Sequence, residues 1–200
     1  MLFRSFANTT GSGSVALGYK SLTANTTGNN NNGIGEQALL SNTTGSGNTS
    51  IGVNSMRLNT SGNSNIAIGD EALRNNTTTN NNIAIGIQSL YNNTASNNTA
   101  VGFQAGFSNV SGGVTAVGYQ AGYSQTGAGG RIEAFGYQTG YSNTTGQLAA
   151  FGYQALYTNT TGSYNTATGH KALFYNTIGT QNTANGYRSE EHTSELQSRG

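Results

Sequence analysis

Residues 150–169 read Ala150-Phe151-Gly152-Tyr153-Gln154-Ala155-Leu156-Tyr157-Thr158-Asn159-Thr160-Thr161-Gly162-Ser163-Tyr164-Asn165-Thr166-Ala167-Thr168-Gly169, and the Ala-x-Gly that opens this stretch returns after 17 residues. Aligning the chain on that glycine finds Gly18, Gly35, Gly52, Gly69, Gly86, Gly102, Gly118, Gly136, Gly152, Gly169 and Gly186. The intervals are 17 residues four times, then 16, 16, 18 and 16, then 17 twice. A fixed period of this length marks stacked units that share one core. With the anchor glycine as position 0, every other residue falls into a numbered column.

Several columns are nearly uniform. Position −1 holds Leu17, Ile34, Ile51, Ile68, Ile85, Val101, Val117, Phe135 and Phe151, then Thr168 and Asn185. Nine apolar residues in register predict a core column, with the last two coils fraying where it turns polar. Position −2 accepts only Ala, Gly or Ser, which predicts a close approach of backbone. Position +3 is similarly small. Position +4 is Leu22, Leu39, Met56, Leu73, Leu90, then Gly106, Gly122 and Gly140, then Leu156 and Leu173. This is a second core column, and its glycine block predicts a narrower or looser stretch, suited to a bend or a trimer contact. Position +1 mixes Tyr19, Glu36, Val53, Asp70, Ile87, Phe103, Tyr119, Tyr137, Tyr153, His170 and Tyr187, the mixture of an exposed column. Recurrent Asn-Thr-Thr-Gly, as at 42–45 and 159–162, predicts Asx-type turns.

Composition points the same way. Only 8% of the 200 residues are charged, Gly numbers 30, and Pro and Cys are absent. Apolar residues make up 34%, below the usual ~45–50%, so a thick core is out of reach and a thin continuous one is not. Disorder competes for the Asn runs at 29–32 and 80–82, but it requires no Ile, Leu or Ala in fixed columns. The reading is therefore all-β: a parallel β-solenoid, left-handed and β-roll-like, with about one coil per 17 residues and short helical turns admitted at Tyr-Gln-Ala-Leu. Parallel strands ~4.8 Å apart make eleven coils a rod roughly 50 Å long, with Asn and Thr side chains forming ladders. Ala-lined coils bury little apolar area each, which favours a homotrimer.

Ser14-Val15-Ala16-Leu17-Gly18, Asn65-Ile66-Ala67-Ile68-Gly69 and 98–106 resemble the head repeats of trimeric autotransporter adhesins. The fuller unit at 155–167 is similar to repeat arrays of bacterial surface and phage tail-fibre proteins. The resemblance spans residues 8–187 and implies a left-handed parallel β-roll in a homotrimer. It implies an extracellular location, on a bacterial surface or virion tail fibre, and a non-enzymatic, adhesive task. A host glycan or matrix protein is the implied partner. The unit is longer than the usual head repeat, and neither a membrane-anchoring barrel nor a chaperone-type C-terminal domain is seen, so residues 1–187 read as a fragment of an array that begins and ends in mid-repeat.

The segment 188–200 breaks the repeat. It carries three of the seven acidic residues and resembles the translation of a short-read sequencing adapter, which makes it a non-native tail. Without it the chain has six Lys and Arg against four Asp and Glu. So small a charge gives no footprint for nucleic acid, and no apolar run is long enough for membrane insertion as a helix.

Catalytic, cofactor and metal residues are not predicted. Glu36 and Asp70 share position +1 two coils apart, ~9.6 Å at the strand spacing, near the ~6.5–9.5 Å of an inverting glycosidase, but Val53 stands between them. A tailspike-type glycan hydrolase is thus a third reading. An ice-binding solenoid comes second, on the column Thr49, Thr99, Thr115, Thr166 and Thr183, which Ser14, Asn32, Ile66, Ile83, Glu133 and Ala149 interrupt. His170 lacks partners at metal-ligand spacing. Asn-x-Thr sequons such as Asn42-Thr43-Thr44 read as turn asparagines. The predicted side-contact column is Tyr119, Tyr137 and Tyr153, where an apolar ring ends in a polar tip.

Overall fold

A computed structural model describes residues 7–127 and 130–189. Eleven short strands follow one another: β1 (Val15–Leu17), β2 (Asn32–Ile34), β3 (Thr49–Ile51), β4 (Ile66–Ile68), β5 (Ile83–Ile85), β6 (Thr99–Val101), β7 (Thr115–Val117), β8 (Ile132–Phe135), β9 (Leu148–Phe151), β10 (Asn165–Thr168) and β11 (Thr183–Asn185). They form one parallel sheet in sequence order. Each strand pairs in register with the next, as Ala67↔Ala84 and Ile68↔Ile85 show. The fold is the expected parallel β-solenoid, and the described residues contain no helix.

The turn after each strand is made by backbone of positive φ. Position +2 is left-handed in every coil, from Lys20 (φ 56) to Arg188 (φ 45), and position +4 is left-handed from Leu22 (φ 51) to Leu173 (φ 49). The helical turn admitted at Tyr-Gln-Ala-Leu is therefore replaced by two left-handed corners separated by one residue. The anchor glycine explains itself. Gly69 has φ 132, and a Cβ there would lie 2.6 Å from the carbonyl carbon of Gly86. No L side chain fits between coils stacked that closely.

Inside, position −2 is small because it points into a narrow coil: Ala67, Ala84, Ala100, Ala116, Ala134 and Ala150 are fully buried. The +4 leucines are buried, as expected. Two asparagine columns complete the interior. At position +7, Asn42 Nδ2 donates to Asn25 Oδ1 (2.8 Å), Asn59 to Asn42 (2.7 Å) and Asn76 to Asn59 (2.9 Å). At position −4, Asn48, Asn65 and Asn82 each donate their backbone amide to the Asn of the preceding coil at 3.0 Å. Both ladders are buried, so their hydrogen bonds are required and not decorative. The sequon Asn42 lies within one of them, in keeping with the turn reading.

Two expectations are corrected. Position −1 is not core. Ile68 and Ile85 are each 37% exposed, because a strand that turns −2 inward must turn −1 and −3 outward. Fraying at Thr168 and Asn185 loses its basis for the same reason, and both residues pair in the β10–β11 ladder. The glycine block, expected to be narrower or looser, is not loose at Gly122 and Gly140. Where Gly106, Gly122 and Gly140 replace Leu, Val114, Ile132 and Leu148 replace the Asn of position −4 in the following coil and are buried. A Cβ on Gly122 would lie 3.6 Å from Ile132 Cγ2, and one on Gly140 3.4 Å from Leu148 Cδ1. Apolar volume lost from one wall is returned from the other.

The coil continues through Arg188, whose amide donates to His170 O (3.0 Å). Residues 190–200 of the predicted non-native tail lie outside the described residues.

Candidate interaction surfaces

Alternation along each strand sends positions −3 and −1 to the outer face of the sheet, with position +1 beside them. The result is an apolar strip along the solenoid. Val15, Leu17, Ile51, Val53, Ile66, Ile68, Ile83, Ile85 and Ile87 are all exposed on it. Its aliphatic centre is β4 and β5, where both outward positions are Ile. The predicted core column is therefore the most conspicuous surface feature. The period-2 rule of strands was the signal that could have placed it outside, since −2 and −1 cannot both face in.

The predicted contact column is also at the surface. Tyr119, Tyr137 and Tyr153 are 41–43% exposed. They stack in a continuous ladder with Phe103 before them and His170 and Tyr187 after, ring centroids 4.8–5.3 Å apart. Each ring covers its neighbour's face, so the ladder presents edges and hydroxyls to solvent. His170 is held as one rung of this stack. Among the described residues no group of three or more His, Cys, Asp or Glu is arranged to hold a metal ion.

Sequence reasoning missed a second ladder at position +5. Tyr91, Phe107, Tyr123, Tyr141, Tyr157 and Phe174 stack at 4.9–5.2 Å. Its signal was present as an aromatic column from Tyr91 onward. Between the two ladders runs a third, of glutamines at position +2: Gln104 Nε2 donates to Gln88 Oε1 (2.7 Å), Gln120 to Gln104 (2.8 Å), Gln138 to Gln120 (2.9 Å) and Gln154 to Gln138 (2.9 Å). In the aromatic ladder at +5, burial first and then the neighbouring Tyr123 and Tyr157 raise the Tyr141 phenol above the usual 10.

The paired carboxylates behave as surface groups. Asp70 Oδ1 accepts the Val53 amide (3.1 Å). Glu71 lies 3.5 Å from the Arg74 guanidinium and accepts from Gln88 Nε2 (2.8 Å). The interrupted Thr column lies on the outer face at position −3, and the register corrects its first member from Ser14 to Val15, which pairs with Asn32.

Comparison with protein-family models, with curated proteins and with solved structures finds no match.

Proposed function

We propose that this chain is a structural, adhesive fibre segment of the kind found in bacterial surface adhesins and phage tail fibres, assembled as a homotrimer and displayed outside the cell. The observation that carries the reading is the exposed aliphatic strip centred on Ile66, Ile68, Ile83 and Ile85. Soluble monomers rarely leave contiguous apolar patches beyond a few hundred Å² uncovered. A flat, β-branched sheet face with little charge is suited to packing against identical faces, and cyclic closure keeps such contacts finite. The copy number of three comes from the resemblance to adhesin heads.

In this arrangement the ladders do different work. Asparagine ladders inside make the rod stiff, and the polar turns and aromatic edges outside are left for a host glycan or matrix protein. The ice-binding alternative asks for unbroken Thr rows, which Ile66, Ile83, Glu133 and Ala149 interrupt. For the hydrolase alternative, Glu36 and Asp70 flank Val53, whose amide already engages Asp70.

Light scattering on the full chain tests the assembly. The expected mass is three chains, and an Ile68→Asp, Ile85→Asp double variant should fall to one while keeping its β-sheet circular dichroism. A wild-type chain that is a folded monomer at tens of micromolar would overturn the trimeric reading.

A further inference from the structure

The one 18-residue coil differs chemically from its neighbours. It places Arg131 at position −5, where other coils carry Gly, Asn, Ser, Gln or Tyr, and Glu133 at position −3. One coil further on, position −3 is Ala149, the smallest residue in that column. A further coil on, Tyr164 at position −5 projects outward, 63% exposed. The small residue between larger ones makes a notch. Arg131, Glu133, Gln147, Ala149, Tyr164 and Thr166 line a cleft of about 320 Å³.

We propose that this notch is a binding site for a single neutral hexose unit of a glycan. Its chemistry is that of sugar recognition. Tyr164 is flanked in its column by Gln147 and Gln181, so no ring stacks on it, and its face is left for the C–H face of a pyranose. In this it differs from the rings of both ladders. On the β8 wall Glu133 accepts from hydroxyl pairs and Arg131 donates beside it, and Thr166 on the β10 wall supplies a further hydroxyl. Among the described residues no ion pair joins Arg131 to Glu133. Their opposite charges leave that wall with no net charge, and the facing wall of Tyr164 and Thr166 is uncharged. A sugar acid would meet the Glu133 carboxylate, which is why a neutral sugar fits better. Glu133 is the single carboxylate lining the cleft, whereas retaining and inverting hydrolases use two, so the site holds a sugar without cutting it.

The notch deepens the adhesive reading and rests on it for its biological sense, yet the two fail separately. It lies on β8 to β10 of the same outer sheet face, where Arg131 and Glu133 break the apolar strip, several coils from the aliphatic centre at β4 and β5 assigned to assembly. The test is ligand-observed NMR and calorimetry on the full chain with glucose, galactose, mannose and N-acetylglucosamine, and with glucuronic acid as the anionic arm. At least one neutral sugar should bind, with a Kd of roughly millimolar for so open a cleft. Ala149→Ile fills the notch at a position where Ile66 and Ile83 already stand, so the fold tolerates it. Tyr164→Gly is tolerated likewise, since Gly13, Gly47 and Gly113 occupy that column. Each variant should lose binding at least about tenfold, and Glu133→Gln should weaken it less. Ile68→Asp, Ile85→Asp should leave sugar binding unchanged while abolishing assembly. The proposal is overturned if no neutral sugar binds, if Ala149→Ile binds as wild type, or if only glucuronic acid binds and Arg131→Gln removes it.

Discussion

The exchange of volume across the glycine block makes a quantitative prediction. Gly122 has φ 57, and leucines in the same column sit at φ 49–52, so Leu is conformationally admissible there. What excludes it is Ile132, fully buried, with Cγ2 3.6 Å and Cδ1 4.0 Å from the position of a Cβ on Gly122. Gly122→Leu should thus overpack the coil and cost about 1–3 kcal/mol. Ile132→Ala empties the same space from the other wall and should cost about 2–5 kcal/mol. The double variant puts the Leu into the cavity the Ala leaves. If the two walls share one volume, its cost should fall short of the sum by about 2 kcal/mol. The assay is urea unfolding followed by circular dichroism on all four proteins, with slopes compared because stacked repeats need not unfold in one step. Costs that add within ~0.5 kcal/mol would refute the exchange, since independent sites behave that way.

Three other outcomes follow from the same geometry. Gly69→Ala forces a Cβ to 2.6 Å from Gly86 backbone at φ 132 and should cost at least ~3 kcal/mol, whereas Gly47→Ala, at φ 68 with nearest atoms 3.7 Å away, should cost only ~1–2 kcal/mol; thermal melts of both variants compare them. Asn59→Ala removes a rung that donates to Asn42 and Gly62 and accepts from Asn76, and should cost ~2–4 kcal/mol by denaturant titration, whereas Asn63→Ala on the exposed side should cost under ~1 kcal/mol. The Tyr141 phenol holds its proton more tightly folded than unfolded, so its contribution is complete below pH ~10 and is lost as pH rises through the folded value. In phenolate absorbance at high pH, Tyr141→Phe should remove the latest-titrating component, and a spectrum unchanged apart from amplitude would contradict the shift.

Legibility differed by column. The +4 leucines are readable as interior because size and repetition restrict them together, whereas the small residues at −2 announce a close approach without saying which way they face. The −1 isoleucines read as core because a stacked apolar column looks the same in one dimension whether it faces the core or solvent. Only the alternation fixed by β1–β11 distinguishes the two. Gly122 and Ile132 lie ten residues apart in sequence, and their complementarity needs coils in register to be seen. The same holds for the notch: Arg131, Ala149 and Tyr164 belong to three successive coils, and nothing local to any of them marks a cleft.

The sequence by itself determined the period, the parallel stacking and the place of each turn, because a unit that cannot bury its own apolar side must repeat in register. The tertiary structure decided the facing of the strand columns, −2 inward and −1 and −3 outward. Facing is set by the φ of two left-handed corners and by strand alternation acting together, and that choice turned a row of isoleucines from a core into a surface.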